Sequence, residues 1–395
     1  MVPAGQYPAR ACLGHCLSQG QTFGTLHGAR QARDKRGASA GQARRQAIRR
    51  GGEEKVKGPI VIAMSGGVDS SVAAGLISED ARRSPGGDAN ASGPPVQGAM
   101  LKVWDNARGC PDPKRSKKVN ACCSVEDVND ALRVATKLGI PFHVVDSRGD
   151  FDRAVLDPAV AAYARGRTPN PCVDCNRYLK FGSLLDWAQE RGVDHLATGH
   201  YARIARDETG RHVLRRGVDP GKDQSYFLFF LGEEALSRLI FPLGDMTKDE
   251  VRRHARRLGL EVAHKAESQD LCVPLAREER PGEIVTREGR VIGRHPGVSF
   301  FTIGQRRGLG LGGGTPLFVI RLDAERRQVV VGSQADLLAS GLTATLDGWN
   351  APRPEGWIHV AVQHRYRSPA APAQVRLRGA QLEVRFDEPQ RAVAP

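Results

Sequence analysis

The stretch that decides the fold is Pro59-Ile-Val-Ile-Ala-Met-Ser-Gly-Gly-Val-Asp-Ser-Ser71. Its first half is an apolar run without alternation, which predicts a strand buried on both faces. Gly66 and Gly67 then form a turn, and the spacing of apolar and small residues from Val68 to Ile77 predicts a helix. A buried strand that passes through glycines into a helix is typical of anion-binding units in parallel α/β sheets.

The same alternation continues along the chain. Because strands and helices follow one another in turn, we expect a doubly wound parallel sheet of the α/β class. The further expected strands are Val96–Val103, Phe142–Val145 and Val193–Ala197, and the further expected helices are Glu126–Leu138 and Leu184–Glu190.

Composition divides the chain into four segments. Residues 1–57 are rich in Gly, Ala, Arg and Gln without apolar periodicity, and we expect a disordered basic extension there. A basic tail, a start codon assigned too early and an organellar transit peptide are all open readings of it. We expect the α/β domain at 58–215, a small, mostly helical domain at 216–280, and a β-barrel-like domain of short strands at 281–395.

Charge and cysteine content narrow the class of protein. The chain has 58 Lys and Arg against 44 Asp and Glu, a formal charge of +14 that suits a nucleic-acid partner or, as the plain alternative, reflects basic ends. No apolar run reaches the roughly 18 residues of a membrane span, so we expect no membrane role. Eight Cys in 395 residues without a secretory signal predict reduced thiols of a cytoplasmic protein, with an organellar matrix as the alternative.

The glycine turn has the features of a phosphate-binding loop. Backbone N–H groups at the helix start and the hydroxyls of Ser65, Ser70 and Ser71 can donate to an anion. No lysine closes the loop, so it is not the GxxxxGK(S/T) type. Asp69 would repel phosphate, and we expect it to help hold Mg²⁺ instead. The alternative is a turn that only caps the helix.

A second candidate site is the proline-fixed loop Thr168–Phe181, which contains Cys172 and Cys175. Sulfur carried as a persulfide and released by disulfide formation needs two thiols. A structural zinc site and an iron–sulfur cluster with Cys272 as third ligand are the alternatives. Nearby cations expected to favour thiolate are Arg165, Arg167, Arg177 and Lys180, and the other candidate thiols are Cys110, Cys122 and Cys123.

Several motifs occur together in a telling order. The phosphate loop SGGVDSS is followed by GRTPNPCVDCNRYLKFG, ATGHYAR, DQSYFL, SQDLC and GQRRGLGLGG. From about Ile60 to Pro395 this order resembles the tRNA-specific 2-thiouridylases, the MnmA family, within the PP-loop ATP pyrophosphatase superfamily.

The resemblance implies an activity. It implies an adenine nucleotide alpha-hydrolase-like fold, ATP and Mg²⁺ as cofactors, and adenylation of C2 of the wobble uridine of a tRNA. Sulfur transfer from a cysteine persulfide would follow, giving 2-thiouridine, AMP and pyrophosphate. The family pattern makes Cys175 the nucleophile and Cys272 the persulfide carrier, loaded by a separate sulfur-donor protein.

Binding residues follow from the same resemblance. The alternatives are that His200 is a structural histidine, that Leu101 is a core residue, and that Lys222 and Arg365 are solvated surface charges. The implied nucleotide contacts are Met64, Ser65, Gly66, Gly67, Val68, Asp69, Ser70, Ser71, Leu101 and Gly199, and the implied tRNA contacts are His200, Lys222, Asp223, Gln224, Arg365 and Tyr366.

Two departures from the family pattern bear on this reading. Some members have Asp where Cys172 stands, so the general acid or base is either missing or is Asp174. The sequence also stops at Pro395, where relatives add barrel strands, and we expect a shortened final barrel. Rival functions are a cluster-dependent tRNA thiolase, a small-molecule ATP pyrophosphatase, and an inactive tRNA-binding protein.

Overall fold

The structure is a computed structural model, and it describes residues 58–83, 95–103, 125–265, 279–312 and 314–394. The expected basic extension 1–57 lies outside the described residues. So do four of the candidate thiols, Cys110, Cys122, Cys123 and Cys272.

The N-terminal part is built on five parallel strands in the order β3-β2-β1-β4-β7, which confirms the expected parallel sheet. The first strand is central, with β2 on one side and β4 on the other. The chain therefore winds outward in both directions from β1. The strands are β1 (Ile60–Ala63), β2 (Val96–Lys102), β3 (Phe142–Asp146), β4 (His195–Thr198) and β7 (Leu239–Ile240).

Both faces of this sheet are covered, because successive side chains of β1 enter different cores. Ile60 and Ile62 belong to a cluster with the first helix, whereas Val61 faces a second cluster on the opposite side. None of the three is more than 7% exposed, as expected for a continuous apolar strand. The helices before residue 200 are α1 (Val68–Arg83), α2 (Val125–Leu138), α3 (Arg148–Phe151), α4 (Asp157–Ala164), α5 (Pro171–Asp174) and α6 (Leu184–Gln189), with π-helical turns at Asp152–Leu156 and Cys175–Ser183.

In the described part of segment 216–280, short helices and 3₁₀ turns alternate with loops, and they do not pack apart from the sheet. Strand β7 extends the sheet beyond β4, and Val251 and Ala255 lie in the same core as α1. The segment therefore completes the first domain. Its helices are α7 (Glu233–Arg238) and α8 (Lys248–Arg257), with 3₁₀ turns at Ser225–Leu228 and Glu261–His264.

An antiparallel hairpin that the sequence reading missed follows β4. Its strands are β5 (Ala202–Arg206) and β6 (His212–Arg216), joined by a turn in which Asp207 accepts from Thr209 and Arg211. The hairpin leads the chain from the sheet edge to residues 217–224.

The C-terminal part contains two four-stranded sheets, whereas we expected one barrel-like domain. The first sheet has the order β10-β11-β8-β9 and a core that includes Ile284 and Val329; the second has the order β12-β15-β14-β13 and a core that includes Val384 and Phe386. Each sheet closes on its own apolar cluster, so the segment divides into two units. The strands are β8 (Gly282–Thr286), β9 (Val291–His295), β10 (Phe318–Asp323), β11 (Gln328–Gly332), β12 (Leu338–Thr345), β13 (Ile358–Val362), β14 (Ala371–Arg378) and β15 (Gln381–Arg391).

The loop between β12 and β13 of the second sheet contacts the first domain directly. The Asn350 amide donates to the Leu231 carbonyl at 2.7 Å, and Arg177 forms an ion pair with Asp347. Across the part of the chain that the structure describes, no helix combines the length and the apolar character that a bilayer crossing requires.

Candidate active site and nucleic-acid interface

The phosphate loop lies at the carboxyl end of β1 and runs directly into α1, as predicted. Ser65 is exposed, and its N–H donates to Ser70 Oγ at 3.1 Å. The hydroxyls of Ser70 and Ser71 turn inward and donate to the Gly67 carbonyl at 3.2 and 2.8 Å. Two of the three expected hydroxyl donors therefore stabilise the loop itself, and the N–H groups of Ser65 and Ser71 are likewise bonded within it.

Two glycines are required at this point by close backbone approaches. Gly66 has φ +70°, and a Cβ on it would lie 2.2 Å from the Asp127 carbonyl oxygen. Gly199 follows β4, and a Cβ there would lie 2.7 Å from the Ser70 N. The loop thus sits between the ends of β1 and β4, where the winding reverses, and ligands of such sheets bind at this crevice.

The remaining implied nucleotide contacts lie in or beside the cores. Met64 and Val68 are buried in the first cluster and Leu101 in the second. Only their backbone groups can reach a ligand, and for Leu101 the core reading of its side chain agrees with the structure.

Asp69 has a partner that the sequence reading missed. Lys248 Nζ donates to both carboxylate oxygens of Asp69, at 2.7 and 2.9 Å, and Tyr201 OH donates to one of them at 2.8 Å. Among the residues described, no three metal-ligating side chains cluster together. The carboxylate that we expected to help hold Mg²⁺ is therefore paired with an ammonium.

A second lysine holds the loop from the other side. Lys265 Nζ donates to the Gly66 carbonyl at 3.1 Å and to Asp127 and Asp130 at 2.6 and 2.5 Å. Burial lowers the pKa of Lys265, but its hydrogen bonds to Asp127 and Asp130 outweigh that effect, so the pKa is raised and the ammonium stays charged. Lys265 is the last described residue before the segment that contains Cys272, which lies seven residues further along the sequence.

The cysteine loop is a short helix that continues into a π-helical turn. Pro171 starts α5, and Cys175 begins the π-helical stretch; Cys172 and Cys175 are both half-buried. Asn176 is buried and its amide donates to the Phe227 carbonyl at 3.4 Å. Irregular helical turns of this kind are frequent at functional sites.

Arg177, which we expected to favour the thiolate form of Cys175, is paired with a carboxylate of the C-terminal part of the chain. Its guanidinium is paired with Asp347, and it stacks over the Phe230 ring at 4.7 Å. The charge is therefore neutralised by the C-terminal part of the chain.

His200 is a core residue. It is 7% exposed, its Nδ1 lies 2.6 Å from the Thr198 hydroxyl, and its ring packs against Phe181 and Phe241. Burial lowers its pKa well below the ordinary value, and the positive charge of Lys180 adds to the effect. The structural reading we left open agrees with this burial, and a tRNA contact stays a prediction.

The implied tRNA residues 222–224 form a tight turn. Gln224 exchanges hydrogen bonds with the backbone of Tyr201, through its N–H at 2.9 Å and its Oε1 at 3.0 Å. Asp223 accepts from the N–H groups of Gly217 and Ser225. These two side chains shape the turn, and Lys222 at its start is half-buried.

Residues 365–366, in the loop after β13, come to the same place. The Tyr366 ring is 38% exposed, and its centroid lies 4.3 Å from that of Phe227. Arg216 lies 3.6 Å from Asp223 and donates to Gln363 at 2.9 Å, and the Gln363 amide donates to the Tyr366 carbonyl at 2.7 Å, so this chain of contacts links the two motifs. The structure brings together two motifs that lie more than a hundred residues apart in the sequence.

Comparison with known proteins agrees with this architecture. Residues 58–274 match the family described as tRNA methyl transferase HUP domain, 274–333 its PRC-barrel domain, and 339–395 the aminomethyltransferase beta-barrel domain. The three matches correspond to the α/β domain and the two C-terminal sheets.

Relatives at high identity carry one name. The tRNA-specific 2-thiouridylase MnmA of Geobacter metallireducens is 48% identical over 87% of this chain and 93% of its own length. That of Geotalea uraniireducens is 46% identical over 85% and 89%. A solved structure of the U34-tRNA thiolase NcsA from Methanococcus maripaludis aligns over 58% of this chain and 63% of its own, at 19% identity and a TM-score of 0.34. On the sequence matches, the chain belongs to the tRNA-specific 2-thiouridylase family.

Proposed function

We propose that the chain is an ATP-dependent sulfurtransferase that converts the wobble uridine of tRNA to 2-thiouridine, with AMP and pyrophosphate as the other products. One observation carries the proposal in a chain of this family. Gly199 packs on the start of α1 at the phosphate loop, while His200 packs on Phe181 of the helix that begins at Cys175. Two adjacent residues thus join the nucleotide loop to the nucleophile's helix.

The nucleotide's phosphates would lie against the N–H groups between Gly66 and Ser70, since those of Ser65 and Ser71 are bonded within the loop. An anion there is favoured by the start of α1, whose unpaired N–H groups and dipole are positive. Magnesium would arrive as a counterion of the phosphates, since Asp69 is paired with Lys248. Gly199 lets the end of β4 pack directly on the start of α1, because a Cβ there would lie 2.7 Å from the Ser70 N.

Activation of the uridine comes first. The base leaves its stack in the anticodon, because its C2 carbonyl is otherwise inaccessible. The C2 oxygen attacks the α-phosphate of ATP, the bond between the α and β phosphates breaks, and pyrophosphate leaves. The product carries AMP on C2, which is a far better leaving group than an oxide.

Sulfur transfer then uses both thiols. The terminal sulfur of a persulfide on Cys272 attacks C2, and AMP leaves with the original oxygen. The Cys175 thiolate attacks Cys272, the persulfide S–S electron pair moves to the sulfur on C2, and a Cys175–Cys272 disulfide forms. Alternatively, Cys175 attacks first and releases hydrosulfide as the nucleophile. A sulfur-donor protein reloads Cys272 after a dithiol reductant opens the disulfide.

The tRNA partner would bind across the two converging motifs. The surface around Lys222 and Tyr366 combines a cation, which suits phosphate, with an exposed ring, which suits an unstacked base. Since Asp223 and Gln224 are engaged with the backbone of their own turn, we expect them to support the surface rather than to read the RNA.

Cysteine variants test the scheme, and the chain supplies its own control. Cys175→Ser and Cys272→Ser should abolish 2-thiouridine, measured by mass spectrometry of tRNA nucleosides after incubation with ATP and a sulfur donor. Both variants should still bind tRNA. The control is Cys172→Ser, which removes the neighbouring thiol and should keep the thiolation activity. Full thiolation by Cys175→Ser would falsify the scheme.

The rival functions give different results in the same experiment. A cluster-dependent thiolase would need Cys172 and contain iron in anaerobically purified protein. A small-molecule ATP pyrophosphatase would form AMP without tRNA, and an inactive binding protein would form none with it. A mass increase of one methyl group on tRNA would contradict sulfur transfer outright.

A further inference from the structure

The phosphate loop presents an electrostatic problem that its own residues do not solve. It contains no lysine or arginine, yet it contains Asp69, a carboxylate at the second residue of α1. A negative group beside a polyphosphate is repulsive, and the repulsion is strongest in a poorly solvated site. A cation from elsewhere in the chain is therefore required.

Lys248 is that cation. Its side chain reaches across 179 residues of sequence to bond both oxygens of Asp69, and its ammonium lies 5.8 Å from the centre of the Tyr201 ring. Lys248 is only 9% exposed. A lysine is seldom buried unless it is paired, so the contact is specific rather than incidental.

The location of Lys248 in its helix runs against local preference. It is the first residue of α8, where the helix dipole disfavours a cation. Acceptors at this end of α8 offset the unfavourable interaction of the cation with the helix dipole. Thr247 and Glu250 form a capping box, and the Asp219 carboxylate accepts from the Lys248 N–H at 2.9 Å. A residue that breaks a local rule and is compensated by its neighbours is expected at functional sites.

A second ion pair joins the same two helices at their other ends. Arg257, at the other end of α8, bonds both oxygens of Glu79 in α1 at 2.7 and 2.8 Å. The partners are nine residues apart in α8 and ten in α1, so the two helices run side by side in the same direction. The N-termini of both helices therefore meet at the phosphate loop.

We propose that Lys248 is a catalytic residue whose ammonium contacts the pyrophosphate that leaves ATP, in addition to pairing with Asp69. This rests on the proposed function, in which the bond between the α and β phosphates breaks. One more negative charge develops on the departing pyrophosphate, and a cation already fixed at that point stabilises the transition state without reorganisation. Lys248 thereby does the work of the lysine that other phosphate loops contain within the loop.

The test compares two variants that remove one ion pair each between the same two helices. Lys248→Met should lower kcat/KM for ATP, measured as tRNA-dependent AMP release, by about 100-fold to about 1,000-fold. Arg257→Met, the matched control, should lower the melting temperature by a similar amount but keep kcat/KM within about threefold. Lys248→Arg should recover part of the loss, because it keeps the charge with altered geometry.

A double variant separates contact with pyrophosphate from simple neutralisation of Asp69. Lys248→Met with Asp69→Asn should remain as slow as Lys248→Met alone, and both should bind inorganic pyrophosphate more weakly than wild type in calorimetry. Recovery in the double variant, or an equal loss in Arg257→Met, would overturn the proposal. If the wild type binds pyrophosphate but forms no AMP with tRNA, the proposed function fails. Pyrophosphate binding by Lys248→Met still decides whether Lys248 contacts pyrophosphate.

Discussion

The guanidinium of Arg177 and the carboxylate of Asp347 meet at two points, which ties the helix that begins at Cys175 to the loop after β12. Both side chains are only 18% exposed. The pair is therefore shielded from solvent and salt, unlike most surface ion pairs. Arg177 lies two residues beyond Cys175, so the C-terminal part of the chain holds the helical stretch that begins at this cysteine.

Breaking this pair should destabilise the protein measurably. Arg177→Ala leaves Asp347 without its charged donors, and we expect the free energy of unfolding to fall by about 1.5–3 kcal/mol. The control is Arg153, which forms an exposed ion pair with Asp150. Arg153→Ala should change the free energy of unfolding by less than about 0.5 kcal/mol.

A functional readout distinguishes bracing of the nucleophile from general stability. Arg177→Ala should alter the rate at which Cys175 is alkylated, measured at a temperature well below the melting temperature. The variant and the wild type are compared in a background that lacks Cys172. The exchanged pair, Arg177→Asp with Asp347→Arg, should restore part of the stability. An alkylation rate equal to that of wild type would show that the pair does not position Cys175.

The glycines of the nucleotide site should differ sharply in their tolerance of a methyl group. Gly66→Ala forces a Cβ to within 2.2 Å of the Asp127 carbonyl at a positive φ, so ATP binding should be lost along with stability. Gly67→Ala meets nothing closer than Ser65 Oγ at 3.5 Å, so its loss should be far smaller. ATP affinity by calorimetry checks this, and equal losses would argue that crowding at Gly66 is not decisive.

The sequence was sufficient for those features that local pattern determines. The apolar run at Ile60–Ala63 predicted a buried strand, the glycines a turn and the following residues a helix, and all three are present. The parallel sheet followed because strand and helix alternate. Likewise, most of the short strands after residue 281 were marked by β-branched runs.

What the sequence did not reveal depends on contacts between distant residues. Lys248 and Lys265 lie 179 and 199 residues from the loop positions they bond, and nothing in a charged helix or a linker marks them. Strand β12 contains Ser and Gly, and β14 contains Pro372, so their pattern resembled loops. The two-residue strand β7 is too short for any periodicity, and its place in the sheet follows from packing alone.

The two cations of the predicted tRNA surface should behave differently. Lys222→Ala should weaken tRNA binding uniformly and reduce the salt slope of log K by about 1, as loss of one phosphate contact requires. Arg365 donates to the Ile303 carbonyl at 2.9 Å, and burial lowers its pKa, so Arg365→Ala should instead lower the melting temperature. Filter binding across a salt series separates them; an unchanged slope in Lys222→Ala contradicts phosphate contact.

Acid should destabilise the fold through His200. The pKa of His200 is lowered in the folded state by burial and by the charge of Lys180. In the unfolded chain the same imidazole takes up a proton at about pH 6.5. Below that pH the unfolded state binds more protons, so stability is complete above it and falls with pH by up to about 1.4 kcal/mol per unit. Denaturant melts between about pH 7.5 and about pH 5.5 should show a shallower loss in His200→Gln. Since His254, His295 and His364 are present in both proteins, equal slopes would mean that His200 is protonated in the folded state.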